Sequence, residues 1–97
     1  SDVIGQMQGE ILGVEGELSI QSFSPDTYSA TFVASDNSFI INFQGVFYPQ
    51  NGVLVLTHKD KMKLSLSLRK RENEVMWKGV SFSLLNGKTI NASFLPL

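Results

Sequence analysis

The sequence predicts an all-β domain of about eight short antiparallel strands joined as a meander. Three observations carry this reading. Apolar and polar residues alternate with period two over much of the chain, turn-forming residues separate the alternating runs, and each connection is only a few residues long. Period-two alternation gives a strand one dry face and one wet face, whereas a helix would scatter the same apolar residues around its circumference. Consecutive strands joined by short turns pair antiparallel with their neighbours.

The N-terminal stretch is the least regular. Val3, Ile4, Met7 and Ile11 have a spacing that a short helix would also satisfy. Gly5, Gly9 and Gly13 oppose a helix, because each glycine costs about 1 kcal/mol relative to alanine in a helix interior. A first strand is placed at 7–14 and a second at 17–23, with Leu18 and Ile20 facing inward and Glu15-Gly16 closing the hairpin. The third strand, 28–34, turns Tyr28, Ala30 and Phe32 inward, and the fourth, 39–47, turns Phe39, Ile41 and Phe43 inward. Residues 53–58 form a fifth strand that is apolar on both faces at 53–56, as suits a doubly covered strand.

The sixth strand, 61–70, has the clearest pattern: Met62, Leu64, Leu66 and Leu68 alternate with Lys61, Lys63, Ser65, Ser67 and Arg69. In the seventh, 75–84, Val80, Phe82 and Leu84 form the inward series, and in the eighth, 89–95, Ile90, Ala92 and Phe94 do so. Asn51-Gly52 and Asn86-Gly87 accept positive φ at low cost and mark two hairpins. Polar breaks at Ser24-Pro25-Asp26, Ser35-Asp36-Asn37-Ser38, His58-Lys59-Asp60 and Arg71-Glu72-Asn73-Glu74 separate the other strands.

An eight-strand meander must dispose of its two edges. Closure into a small up-and-down barrel removes them, and the alternative, a two-sheet sandwich or roll, leaves short ones to protect. The closed barrel is preferred, because hairpins alone build it and no long crossover is present. Strands this short enclose a narrow interior that side chains can fill. At the level of architecture the meander is similar to lipocalin-like barrels. No stretch supports a residue-by-residue transfer from a known family, and architecture alone does not carry function.

Ninety-seven residues make one domain, 1–97, and 42% apolar with 18% charged residues is globular rather than disordered composition. The chain has no cysteine, so disulfides, thiolate metal sites and cysteine nucleophiles are excluded. No apolar run approaches the roughly 18 residues of a transmembrane helix. The first residue is serine rather than methionine, which fits a processed N-terminus, a tag remnant or a domain cut from a longer chain, and leaves a secreted or cell-envelope origin open.

The residues offer little for catalysis. His58 is the single histidine, at a strand end, and a dyad would need an activatable nucleophile beside it. One imidazole and no thiol fall short of a zinc site, and the oxygens of Ser35-Asp36-Asn37-Ser38 fall short of the six to eight ligands that calcium takes. That segment reads as a turn capped by its own side chains. The glycines match neither the Rossmann fingerprint nor the phosphate-binding loop. No catalytic residue, metal or cofactor is assigned.

The charges are the unusual feature. Residues 1–57 contain six acids and no lysine or arginine, whereas the last 40 residues contain all eight bases against three acids, so charges of −6 and +5 hide within a total of −1. Lys61, Lys63, Arg69, Lys70 and Arg71 lie on one predicted strand and its flanking turns, with Lys61, Lys63 and Arg69 on the face opposite the leucines. This row reads either as a solvated face that discourages edge-to-edge pairing or as a docking surface. Closure would bring the acidic first strand beside the last one, within reach of Lys88, and partly mute the split.

Trp77 breaks the inward series of its strand. Either a β-bulge near Gly79 returns it to the core, the preferred reading because tryptophan is usually mostly buried, or it stands outside as a binding anchor beside the basic face. Ile40, Val46 and Leu54 also fall outward by parity, which hints at an apolar patch, a second sheet or a neighbouring subunit.

The functional expectation is a soluble, non-catalytic binding or adaptor module that docks an anionic surface or protein through Lys61, Lys63, Arg69, Lys70 and Arg71, with Trp77 as an added anchor. The alternative is a small carrier holding an apolar molecule inside the barrel, and a hydrolytic enzyme ranks last. Nucleic acid ranks low as a partner, since the basic strand carries no aromatic on which bases could stack.

Overall fold

The computed structural model describes residues 3–97; Asp2, one of the six acids counted above, lies outside them. The chain forms eight strands: β1 (Gly5–Ile11), β2 (Val14–Ser24), β3 (Thr27–Ala34), β4 (Ile40–Tyr48), β5 (Val53–His58), β6 (Met62–Arg71), β7 (Glu74–Ser83) and β8 (Thr89–Pro96). Each strand pairs antiparallel with the next, and β8 returns to pair with β1 through Met7↔Pro96, Gln8↔Leu95, Gly9↔Phe94 and Glu10↔Ser93. The meander is therefore a closed barrel without a free edge. One end carries the β1–β2, β3–β4, β5–β6 and β7–β8 turns, and the other carries the remaining turns and both termini.

The interior is dry and filled by large side chains. Leu18, Phe32, Phe43, Leu54, Leu56, Leu64, Leu66, Trp77 and Phe94 are all nearly or fully inaccessible to solvent. Phe32 meets Phe94 edge to face at 6.2 Å and Phe39 at 6.0 Å, while Phe47 meets Trp77 edge to face at 5.9 Å, within the range in which aromatic pairs gain beyond area burial. Val3, just before β1, is buried in the same cluster.

Glycines make room for these rings. At Gly9 and Gly16, paired across β1 and β2, an added Cβ would strike the rings of Phe94 and Phe32 respectively. At Gly45 and Gly79 it would fall on the carbonyl oxygens of Val55 and Ser65 in the neighbouring strand. In both cases that residue directly precedes the register partner, Leu56 or Leu66, so the strands coil against each other more closely than a side chain permits. Such glycine kinks are how a short sheet curves enough to close.

Two turns match the sequence reading. Gly52 (φ 68°) and Gly87 (φ 73°) sit at the predicted Asn-Gly hairpins, with the Gly52 amide donating to the Tyr48 carbonyl at 2.8 Å and the Gly87 amide to the Ser83 carbonyl at 2.9 Å. The first hairpin is displaced. Glu15-Gly16 lies within the β1–β2 ladder, and the turn is Leu12-Gly13, both at positive φ as a two-residue hairpin demands. The shift places Gly16 under the Phe32 ring, where a glycine is required by packing rather than by a turn.

The seventh strand corrects the sequence reading most. Trp77 is fully buried, yet the β6–β7 ladder runs without a register shift from Met62↔Ser83 to Arg71↔Glu74. No bulge returns Trp77 to the core. Instead the whole strand has the opposite parity: Trp77, Gly79 and Ser81 face inward, and Val80, Phe82 and Leu84 follow the outer face. Ser81 is fully buried and its hydroxyl donates to the Ile90 carbonyl at 3.2 Å. A one-residue slip would exchange the two faces, and only this register puts the largest side chain inside while leaving a glycine where β6 comes closest. Leu54 is likewise buried, opposite Leu66, and not outward.

Two measurements check this interior. Native tryptophan emission is expected to be blue-shifted and protected from acrylamide, with Trp77→Ala costing about 3–5 kcal/mol in urea unfolding. Gly79→Ala is expected to cost about 1–3 kcal/mol through overpacking against the Ser65 carbonyl, whereas the exposed Ser93→Ala stays within about 0.5 kcal/mol.

Candidate functional site

Closure arranges the charges around the barrel. The strands β3, β4, β5 and β8 contain no Asp, Glu, Lys or Arg. Strand acids of the first half are Glu10 on β1 and Glu15 and Glu17 on β2, while β6 and β7 carry Lys63, Arg69, Lys70, Arg71 and Lys78 with Glu74. In a ring of eight, β2 and β6 stand four strands apart in either direction, the largest separation available. The charge split of the sequence thus sets the β2 acids opposite β6, while β8 alone separates Glu10 on β1 from Lys78 on β7. At the closing seam Glu10 pairs with Ser93 and Ser93 with Lys78, so an acid and a base share one rung with a single uncharged residue between them, and the muting expected from Lys88 comes from Lys78.

The basic residues occupy two groups. Lys59, Lys61 and Lys63 are exposed at the β5–β6 turn, and Arg69, Lys70 and Arg71 are exposed at the opposite end of β6. Lys63 and Arg69 share the outer face, but six residues of strand separate them by about 20 Å, more than twice the roughly 8 Å screening length at physiological salt. Lys61, Lys63 and Arg69 therefore form a row and not a single cluster. At the lower end, Arg69, Lys70, Arg71, Met76 and Lys78 surround a shallow groove with Glu74, which is the cross-strand partner of Arg71. A second shallow groove crosses β1, β8, β7 and β6, with Glu10 on one bank, Lys78, Ser67 and Arg69 on the other, and Asn91 and Ser93 of β8 between.

Trp77 does not belong to this surface. Its side chain lies on the inner face opposite Leu68 and beside Phe94, so the anchor role expected from an outward tryptophan is withdrawn. Its Nε1–H has no hydrogen-bond partner among the described residues. What stands on the outer face in its place is the apolar series of its own strand, Val80, Phe82 and Leu84, which parity had assigned to the core.

His58 lines a separate polar furrow with Gln21, Ser29, Thr31, Asn42, Gln44 and Thr57. Its Nδ1 lies 2.7 Å from the Asn42 carbonyl, which can only accept, so Nδ1–H is the donor. The ring rests edge-on to Phe43 at 6.2 Å. The neighbouring hydroxyls point elsewhere: Thr57 Oγ1 donates to the Gln44 carbonyl at 3.2 Å, and Thr31 Oγ1 donates to Asn42 Oδ1 at 3.0 Å. No hydroxyl is hydrogen-bonded to His58 among the described residues.

In the β3–β4 turn, Asp36 caps its own chain, accepting from the Ser38 amide at 2.9 Å. The described residues contain no group of three or more His, Asp or Glu placed to hold a metal ion. Comparison of the chain with protein-family models, with curated proteins and with solved structures finds no match.

Hydrogen bonds from the Ser38 side chain, and then from its amide, hold the Asp36 carboxyl below the ordinary aspartate range. A lowered folded-state value contributes stability above the unfolded value that is lost as pH falls through the folded one. In an NMR titration, Asp36 is therefore expected to titrate below a typical aspartate, and Ser38→Ala is expected to move it upward.

Proposed function

We propose that the protein is a non-catalytic binding module that meets an anionic partner through the β6–β7 wall, with Lys61, Lys63, Arg69, Lys70 and Arg71 supplying the charge. The observation that carries this reading is the segregation of charge: the basic residues of β6 stand opposite Glu15 and Glu17 of β2, with the uncharged β3–β5 between them on one side, while Glu10 of β1 approaches the basic wall across β8. A chain with net charge −1 gains nothing in solubility from sorting its charges this way, whereas an oriented field captures and aligns a charged partner. A packed interior also leaves the outer wall as the surface available for recognition. Phe32, Phe43, Phe94 and Trp77 take up the space that a lipocalin-like carrier would give to its ligand.

Retention on immobilised heparin tests the reading. The protein is expected to bind at low salt despite its acidic isoelectric point, and K61Q/K63Q/R69Q is expected to elute at lower salt with an unchanged melting temperature. Equal elution of the two proteins would sink the proposal. Replacing Glu10, Glu15 and Glu17 by glutamine serves as the control and should not weaken retention.

A further inference from the structure

The β7–β8 hairpin carries an apolar ridge on the outside of the barrel. Leu85, at its tip, is 76% exposed, Leu84 is 43% exposed, and Phe82 continues the ridge down the outer face of β7. These are large apolar side chains at and beside a hairpin tip, and they line none of the grooves described above. Lysines frame them. Lys63 is the direct cross-strand partner of Phe82, the Leu84 amide donates to the Lys61 carbonyl at 2.9 Å, and Lys88 closes the hairpin, where its carbonyl accepts from the Ser83 amide at 2.9 Å. With Lys59 in the adjoining turn, four exposed lysines surround the ridge; Asp60 stands among them, and Asp36 in the β3–β4 turn and Glu15 beside the β1–β2 turn lie elsewhere at the same end of the barrel.

We infer that the β7–β8 hairpin, with the adjoining β5–β6 turn, docks onto an anionic lipid bilayer, with Leu84, Leu85 and Phe82 entering the headgroup–acyl boundary and Lys61, Lys63 and Lys88 lying at the phosphates. The inference deepens the basic-wall reading and rests on it. Apolar side chains beside lysines are the two signals by which interfacial segments hold to anionic membranes, apolar burial together with surface charge. Lysine suits the arrangement because its stem follows apolar surface while the ammonium stays in water. An exposed hairpin tip enters a deformable lipid surface directly, whereas a folded protein would have to supply a matching cavity.

The barrel lies on such a surface and does not cross it. Gln21, Ser29, Gln44, Thr57 and Lys63 face outward on one continuous rung through β2 to β6, where a membrane-spanning barrel needs an apolar band.

Co-sedimentation with vesicles tests the inference, using phosphatidylcholine alone and phosphatidylcholine mixed with phosphatidylserine. Binding is expected only to the mixed vesicles and should weaken with salt. K61Q/K63Q/K88Q should lower affinity by about fivefold per lysine. L84S/L85S should lower it by at least about tenfold, without changing heparin retention or melting temperature; L85S alone, at the exposed tip, guards against a folding defect in the double variant. Heparin retention without vesicle binding would overturn the lipid assignment and leave the basic wall standing, and absence of both would overturn the two together. Vesicle binding that L84S/L85S leaves intact would overturn apolar insertion. Self-association abolished by L84S/L85S in a protein that ignores vesicles would assign the ridge to a second copy of the chain and overturn the proposal.

Discussion

The structure depends on fitting aromatic rings into a barrel whose strands are too short to enclose more than a narrow axis. Phe32, Phe43, Phe94 and Trp77 supply the bulk, Gly9 and Gly16 give space to the rings of Phe94 and Phe32, and Gly45 and Gly79 let neighbouring backbones approach. Neither works without the other. Rings without glycines would push the strands apart, and glycines without rings would leave voids that a close-packed interior does not tolerate. Closure follows from the same balance, because the kinks at Gly45 and Gly79 bring adjacent strands near enough for the sheet to meet itself at β1 and β8.

Closure in turn gives the charge distribution its meaning. In an open meander, the acidic and basic segments would occupy the two halves of one sheet. Around an eight-strand ring, the same sequence order sets β2 opposite β6 and leaves β3–β5 and β8 as neutral spacers. The low-dielectric core lies between the two walls. A partner approaching β2 or β6 therefore meets mainly one sign, a condition for orientation by the protein's own field.

Much of this was legible in the residues. The leucine series of β6, the Phe39, Ile41 and Phe43 series leading into β4, and both Asn-Gly hairpins read correctly, because in each case one side chain type dominates one face or one dipeptide serves one turn. The strand with Trp77 misled for a physical reason. Its inner face is built from one very large residue, a glycine and a serine, and its outer face from Val80, Phe82 and Leu84, so local hydropathy points the wrong way. The first hairpin misled similarly, since Gly16 resembles a turn glycine but serves a ring on β3. A signal was available in hindsight: Trp77 and Gly79 share a parity, and a large residue two positions from a small one fits the taper of a small barrel.

Composition and pattern by themselves determined the number and direction of the strands, most of the core and the opposition of acidic and basic halves, because these depend on local alternation and on chain order. Tertiary structure alone decided which face of β7 is inside and that the lysines of β5–β6 stand beside an apolar ridge instead of beside Trp77, and it settled the expected closure against the two-sheet alternative. Those outcomes depend on how much volume the interior can hold once all eight strands surround it, a quantity that no single strand contains.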